Sequence, residues 1–145
     1  MYRHVLIATD GSELADKAVA QGLDLAKALG ARVTAVTITE PVTALVSGDA
    51  STVLEFETYQ RAAAANAARI LDAVDAAAKT TGVAYELVHV KNKFPADGIV
   101  ETATEKGADL IVMASHGRRS LSKLLLGSQA AKVVTLSTVP VLVCR

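Results

Sequence analysis

Five short apolar runs alternate along the chain with segments whose apolar residues recur at helical spacing. Runs of this length, rich in Val, Ile, Leu and Thr, are typical of strands, and those that are apolar throughout indicate strands buried on both faces. Strict alternation of strand and helix predicts an open five-stranded parallel sheet with right-handed crossovers and helices on both faces, a Rossmann-like α/β fold. With 145 residues, the chain is expected to form one domain over residues 1–145.

Glycine and proline mark the boundaries of these elements. Strands are predicted over residues 5–8, 32–39, 83–90, 108–114 and 139–143. Helices are predicted over residues 13–29, which Ser12 can cap, and over residues 51–81, 95–106 and 129–137. Gly30, Gly82 and Gly107 end the first three. Pro95 suits the first turn of a helix, where a missing N–H costs nothing. Residues 41–50 show no periodicity and are predicted to form the longest loop.

Aromatic residues make up only 3% of the chain, although 51% of its residues are apolar. The core must therefore be built from Val, Leu, Ile and Ala, which suits a parallel sheet covered by alanine-rich helices. The second helix contains an alanine-rich stretch in which Arg61, Asn66 and Arg69 are predicted to form a solvated face.

A glycine-containing loop follows the fourth predicted strand and precedes the last helix. Its pattern is Gly117, nine intervening residues, and then Gly127 and Ser128. A loop in this context directs backbone N–H groups at one point, and the next helix adds its unpaired amides and the positive end of its dipole. The loop lacks the Lys-Ser/Thr of a Walker A motif and the three closely spaced glycines of a dinucleotide fingerprint. It predicts a phosphate site, and an ordinary turn and helix start is the alternative.

Asp10 lies in the turn after the first strand, at the edge where open α/β sheets bind ligands. If Asp10 and Gly117 serve one ligand, the first and fourth strands must be neighbours, which predicts the strand order 3-2-1-4-5. Pro140 in the fifth strand agrees with this order, since proline is confined to edge strands. The alternative role of Asp10 is that of a turn-forming or helix-starting carboxylate. Lys91 and Lys93 follow the third strand and either overhang a phosphate or face solvent.

The 15 Lys and Arg residues balance the 15 Asp and Glu residues, which argues against a nucleic-acid-binding protein that relies on bulk charge. An anion site must therefore be local. The single cysteine, Cys144, excludes an internal disulfide and a cysteine-based metal site, and we expect a buried thiol. The N-terminal apolar run is too short for a signal peptide and no run reaches transmembrane length, so we expect a cytoplasmic protein that binds no membrane.

Three stretches together resemble the universal stress protein family: the start from His4 to Ser12, the glycine loop, and the final run from Val139 to Val143. The nucleotide loop of this family reads Gly-x2-Gly-x9-Gly-Ser/Thr. Here Ala114 stands in the place of the first glycine, and Arg118 and Arg119 make the loop basic. An alanine is compatible with the loop if its φ angle is negative, because only a methyl group is added.

The resemblance implies a site for an adenine nucleotide, with ATP as the nucleotide, ADP or AMP as alternatives, and Mg²⁺ as an accompanying ion. It implies that Asp10 and its strand neighbours hold the ribose and adenine, and that Ile38 and Met113 pack on the base. The backbone of the glycine loop, with the Ser128 hydroxyl, is implied to receive the phosphates. The site residues implied in this way are Ala8, Thr9, Asp10, Ile38, Met113, Ala114, His116, Gly117, Arg118, Gly127, Ser128 and Gln129.

The resemblance also implies a homodimer, in which the strand from Val139 to Val143 pairs with that of a second subunit and covers its exposed edge. The first functional hypothesis is an ATP-binding module of stress response or signalling, which acts through nucleotide-dependent conformation or through an unidentified protein partner. The second is a dimeric scaffold of the same fold that has lost nucleotide binding because of Ala114.

The third hypothesis is an enzyme that hydrolyses or transfers phosphoryl or adenylyl groups. The sequence shows no paired carboxylates, no metal-ligand cluster and no nucleophile with an adjacent base, so we expect no catalysis beyond slow ATP hydrolysis. His116 is the candidate acid or base in the glycine loop, and its alternative role is to hold the turn together.

Overall fold

The computed structural model describes residues 1–42, 50–117 and 125–145. Most of the loop predicted over residues 41–50 lies outside these ranges. The strands are β1 (His4–Ala8), β2 (Arg32–Thr39), β3 (Tyr85–Lys91), β4 (Leu110–Ala114) and β5 (Val141–Cys144), and the helices are α1 (Glu13–Leu29), α2 (Ala50–Thr81), α3 (Pro95–Lys106) and α4 (Ser128–Leu136). Within the described ranges, no helix combines the length and the apolar character needed to cross a membrane.

The strands of the described residues form one parallel sheet in the order β3-β2-β1-β4-β5, which confirms the predicted order. In the register, Ile7 of β1 lies opposite Val112 of β4 and opposite Ala35 of β2. The chain runs outward from β1 through β2 to β3, and then returns to the other side of β1 to form β4 and β5. The switch point therefore lies at the carboxyl ends of β1 and β4, where α/β sheets bind ligands.

Side chains on the two faces of the sheet form two separate apolar cores. On one face, Ile7 of β1 packs in a cluster with Leu23 of α1 and with residues of α2. On the other face, Leu6 of β1 packs in a cluster with Ile99 of α3 and Val133 of α4. Consecutive residues of β1 thus serve opposite cores, as expected of a strand buried on both faces. Helices cover both faces, as predicted.

The helix ends follow the residue types that predicted them. Helices α1 and α3 end at Gly30 (φ 65°) and Gly107 (φ 68°), both in the left-handed conformation that glycine adopts without strain. Helix α1 begins after Ser12, whose Oγ accepts a hydrogen bond from the Ala15 N–H at 3.2 Å. These ends position the turns on which the site depends.

Four of the five strands differ from their predicted bounds by one or two residues, and among them β1 begins at His4 and β3 spans Tyr85–Lys91. The fourth strand begins at Leu110 rather than at residue 108, because the Ala108 N–H donates to the Ala103 carbonyl oxygen (2.9 Å) and completes the end of α3. The fifth strand begins one residue after Pro140, so the proline precedes the edge strand instead of lying within it. The Pro140 carbonyl oxygen still joins the sheet, since it accepts a hydrogen bond from the Ile111 N–H at 3.0 Å.

Candidate functional site

An open cavity of about 800 Å³ lies at the carboxyl ends of β1, β2 and β4, and helix α2 and the start of α4 contribute to its walls. This is the edge of the sheet at which the switch point predicts a ligand. Eleven of the twelve predicted site residues line the cavity: Ala8, Thr9, Asp10, Ile38, Met113, Ala114, His116, Gly117, Gly127, Ser128 and Gln129. The twelfth, Arg118, lies outside the described residues.

Asp10 shapes the turn between β1 and α1. Its Oδ1 accepts a hydrogen bond from the Ser12 N–H (2.9 Å), and the Thr9 Oγ1 accepts one from the Gly11 N–H (3.1 Å). Gly11 has a φ of 76°, a left-handed backbone conformation that glycine adopts without steric strain. The turn-forming role considered for Asp10 is therefore present, and it involves one of the two carboxylate oxygens.

The other carboxylate oxygen of Asp10 lies against the glycine loop. A Cβ atom built on Gly117 would lie 2.6 Å from Asp10 Oδ2, closer than real Cβ atoms come to their neighbours. Residue 117 therefore has to be glycine if the carboxylate is to keep its place. The two residues come together at the switch point, which is what the predicted strand order required.

Gly127 holds the far end of the loop against the end of β4. Its N–H donates to the Ser115 carbonyl oxygen at 2.8 Å, and a Cβ atom built on it would lie 2.6 Å from that same oxygen. Gly127 is also the N-cap of α4, and no described side chain caps this helix start. Helix α1 differs, because Ser12 caps it. The start of α4, with Ser128 on the cavity wall, therefore presents backbone N–H groups suited to an anion.

His116 is tied to a buried part of the loop. The Ser115 Oγ and the His116 Nδ1 are 2.9 Å apart and share a hydrogen bond. Ser115 is only 3% exposed, and its backbone N–H donates to the Cys144 carbonyl oxygen of β5 at 2.7 Å. These contacts agree with the interpretation of His116 as a residue that holds the turn together.

Ile38 and Met113 give the cavity an apolar wall, and both pack with the core on the α3 and α4 face. A Cβ atom on Gly98 of α3 would lie 2.8 Å from Ile38 Cδ1, so Gly98 provides the space that Ile38 occupies. Ala114 packs with the opposite core and is 8% exposed. Among the described non-glycine residues, only Asn92 has a positive φ, so Ala114 meets the condition for replacing a glycine.

Gln129 connects the starts of α3 and α4. Its Oε1 accepts a hydrogen bond from the Ala96 N–H at 3.2 Å. Phe94, the N-cap residue of α3, cannot cap that helix with its side chain, so Gln129 supplies the acceptor from another helix. The Gln129 side-chain oxygen therefore contributes to the rim of the cavity, where Pro95 also lies.

Sequence reasoning missed the contribution of α2. Arg61 and Arg69 of the predicted solvated face are exposed, while Asn66 is half-buried and lines the cavity. The Tyr59 hydroxyl donates to the Glu40 carbonyl oxygen at 3.1 Å and ties the helix to the end of β2. The sequence did contain a signal for this wall, because residues that recur every three or four positions lie on one face of a helix. The residues of this face that line the cavity are Tyr59, Ala62, Ala63, Asn66, Ala67 and Ile70.

Lys91, the last residue of β3, and Lys93 are not among the residues that line the cavity. The Lys93 ammonium forms an ion pair with Glu101 of α3. Metal-ligating clusters are also missing from the part of the chain that the structure describes, where no group of three or more His, Cys, Asp or Glu side chains could hold an ion. The cavity thus combines an apolar wall, the two acidic residues Asp10 and Glu40, and the start of helix α4.

Comparison with known proteins agrees with this geometry. The family model described as the universal stress protein family matches residues 1–145. The chain belongs to the universal stress protein family. It is 32% identical to the universal stress protein YxiE of Bacillus subtilis and 34% identical to a universal stress protein of Thermus aquaticus, and both comparisons cover the full length of both chains.

Solved structures of universal stress proteins share the fold. One of them, solved in complex with cAMP, is 32% identical to this chain, with a TM-score of 0.74 and coverage of 99% of this chain and 97% of that chain. The MJ0577 protein of Methanocaldococcus jannaschii is 28% identical, with a TM-score of 0.78 and coverage of 99% and 96%. These similarities confirm both the family to which the sequence was compared and its α/β architecture.

Proposed function

We propose that this universal stress protein binds an adenine nucleotide, with ATP as the ligand and ADP or AMP as alternatives, in the cavity at the carboxyl edge of the sheet. The observation that carries the proposal is the contact of Asp10 with the glycine loop, beside a helix start that no described side chain caps. A cavity of about 800 Å³ has room for such a ligand. The cAMP complex of a 32% identical relative supports the same ligand class here.

The phosphates are assigned to the start of α4. The N–H groups of the first turn and the Ser128 hydroxyl are suited to phosphate oxygens, and the positive end of the helix dipole adds to the attraction. Gly117 and Gly127 keep this end of the cavity free of β-carbons. Mg²⁺ would be held chiefly by the phosphates of the nucleotide, since the described residues contain no cluster that could hold it.

The nucleoside is assigned to the other end of the cavity. A carboxylate is a poor neighbour for phosphate and a good acceptor for ribose hydroxyls or the adenine amine, so Asp10 belongs with the nucleoside. Ile38 and Met113 offer the base an apolar surface. Along the sheet, β4 leads into the glycine loop that is assigned to the phosphates, β1 leads into the turn that carries Asp10, and β2 carries Ile38 near its end.

Binding, rather than catalysis, is the proposed activity. Nucleotide occupancy would change the conformation of the protein or its affinity for a protein partner in a cytoplasmic stress response or signalling pathway. His116 shares its Nδ1 with Ser115 and is placed to hold the loop, which supports a binding role.

We also propose that the protein forms a homodimer through the edge strand from Val139 to Val143. In β5, Leu142 is 41% exposed, and on the neighbouring helix α4 Val134 and Leu136 are about half exposed. A second copy would cover these apolar side chains and pair with the edge. Leu142→Lys should give monomers on size exclusion with light scattering. A substitution at Val141 would be a poorer test, because Val141 packs against the core and its replacement would also affect folding. A dimer of unchanged stability would remove β5 from the interface.

The nucleotide content of the purified protein tests the proposed function directly. Denaturation with acid should release an adenine nucleotide that chromatography identifies, and calorimetry on the emptied protein should show ATP binding. The competing scaffold hypothesis assigns the loss of binding to Ala114. If the parent protein binds no nucleotide while Ala114→Gly binds ATP, the scaffold hypothesis is correct.

A further inference from the structure

Helix α2 extends beyond the sheet and forms a wall of the cavity that no strand end provides. It has 32 residues, which corresponds to about 48 Å, whereas β2 has 8 residues. Val74 and Ala78 near its end are buried against the sheet, and Ala67 lies on the same stripe about two to three turns earlier. Asn66, the residue next to Ala67, lines the cavity. The helix thus packs on the sheet with one half and borders the cavity with the residues before it.

The α2 wall lies at the end of the cavity assigned to the base. Tyr59 is bonded to the Glu40 carbonyl oxygen, directly after β2, and this bond holds the helix over the end of that strand. The cavity-lining residues of α2 nearest to Asn66 are Ala62, Ala63 and Ala67, which project only methyl groups. Asn66 is therefore the residue of this stretch that can hydrogen-bond to a base.

The carboxamide of Asn66 bonds to Arg69, which lies three residues further along the same helix. Its Oδ1 accepts a hydrogen bond from Arg69 Nη2 at 2.9 Å. Because a guanidinium has only donors, the atom that faces Arg69 must be the amide oxygen. The hydrogen-bonding capacity that this bond leaves to the amide is its two N–H donors and the second lone pair of the oxygen. Asn66 lines the cavity and Arg69 does not.

We propose that Asn66 reads the base and makes the cavity selective for adenine over guanine nucleotides, with Arg69 as a positioning residue. This inference rests on the proposed function, since it assigns a specificity residue to the same site. Adenine presents the N7 acceptor beside the N6 donor, which matches the donor and acceptor of an asparagine amide. Guanine presents two acceptors, N7 and O6, so the amide oxygen would face O6 without a hydrogen between them.

The test measures dissociation constants of ATP, GTP and inorganic triphosphate by calorimetry on the full chain. The parent protein should prefer ATP to GTP. Asn66→Ala should weaken ATP about three- to tenfold, the range expected for one neutral hydrogen bond, and leave inorganic triphosphate unchanged. Gln60→Ala is the matched control, because Gln60 is an exposed amide on the same helix and lies outside the cavity lining.

A second pair of variants tests the positioning role. Arg69→Ala should lower the preference for ATP over GTP, whereas Arg69→Lys keeps a donor for Asn66 Oδ1 and should retain most of it. Equal binding of ATP and GTP by the parent, or equal weakening of both by Asn66→Ala, would overturn the inference and leave the proposed function standing. A parent protein that binds neither nucleotide nor inorganic triphosphate would overturn both.

Discussion

The amino ends of the strands form one edge of the sheet and the carboxyl ends form the other. The amino edge is closed by bonds between side chains, whereas the carboxyl edge is open to a cavity. At the amino edge, His4, Thr34 and Glu86 lie on three adjacent strands, and their side chains bond to one another. Thr34 Oγ1 is 2.7 Å from His4 Nε2 and donates to Glu86 Oε1 at 3.0 Å, and Lys106 Nζ pairs with Glu86 at 3.0 Å. At the carboxyl edge, Asp10 and the starts of the helices border a cavity of about 800 Å³.

The difference follows from the direction of the helices. In a parallel sheet with alternating helices, the helix C-termini come to the amino edge and the N-termini come to the carboxyl edge. A glycine in the left-handed conformation closes a C-terminus with its own backbone, as the Gly107 N–H does by donating to the carbonyl oxygens of Ala103 and Thr104. An N-terminus needs an acceptor from a side chain, and α4 has none among the described residues. The start of α4 therefore has backbone N–H groups for which no described side chain supplies an acceptor.

The largest expected effect comes from glycine at the open edge. Gly127→Ala would place a methyl carbon 2.6 Å from the Ser115 carbonyl oxygen, and a backbone oxygen of β4's end cannot move away as a flexible side chain can. We expect the loop to shift and ATP binding to weaken by about 3 kcal/mol, the upper range for overpacking. Calorimetry at a temperature where the variant is folded measures this loss. Unchanged affinity would show that the loop is not the phosphate site.

Asp10→Ala should have the next largest effect on binding. The change removes a charged acceptor from the nucleoside end, and we expect ATP to weaken by about 2 kcal/mol while inorganic triphosphate, which does not reach that end, keeps its affinity. Asp10→Asn is the control for the turn, because it keeps an acceptor for the Ser12 N–H. If Asp10→Ala weakens both ligands equally while Asp10→Asn weakens neither, Asp10 only shapes the turn.

A glycine-to-alanine change at the closed edge should affect the free energy of unfolding rather than the affinity for ATP. A Cβ atom on Gly107 would have no neighbour within 4 Å, so Gly107→Ala adds only the strain of a positive φ. We expect a loss of about 1 kcal/mol in the free energy of unfolding and no change in the dissociation constant of ATP. Chemical denaturation and calorimetry on one preparation separate the two quantities. A weakened ATP affinity would contradict the separation of the two edges.

The smallest expected effect is a pH dependence of stability at the closed edge. Burial lowers the pKa of His4 below its ordinary value of 6.5, with the Arg32 charge acting in the same direction and Glu86 and Asp109 opposing it. The folded state therefore prefers neutral His4, so its contribution is complete above pH 6.5 and is lost as the pH falls below that value. Burial also lowers the pKa of His89, so the comparison with a His4→Gln variant isolates His4. Parallel stability curves for parent and variant between pH 5 and about 7.5 would refute this role.

The polar network also shows how the closed edge is held. Thr34 donates its hydroxyl hydrogen to Glu86, so His4 Nε2 must be the donor in the bond to Thr34. The hydrogen bond from Lys106 holds the pKa of Glu86 below its ordinary value. The Asp109 carboxylate accepts the backbone N–H groups of Arg3 and His4. These bonds join the polar side chains of this edge to one another, although His4 Nδ1 is buried without a hydrogen-bond partner among the described residues.

Much of the site could be predicted because its determinants are local. Ser12, Gly30 and Gly107 act on the helix ends next to them, and the turn at Asp10 depends on residues two positions away. The pattern Gly117, nine residues, Gly127 is likewise contained in one segment. Reasoning about strand order then brought the two segments together, because only one arrangement of the sheet places both at a switch point. The structure confirms that arrangement.

The sequence by itself therefore determined the class of fold, the strand order and the edge at which a ligand would bind, since these follow from periodicity, caps and turn residues. Only the tertiary structure decided that Asn66 faces the cavity, that Ser115 fills the space where a Gly127 side chain would lie, and that Gln129 caps a neighbouring helix. Each of these contacts joins residues that belong to different elements. Their geometry depends on how far a helix extends past the sheet and at what angle it packs, and no local pattern of residues encodes either quantity.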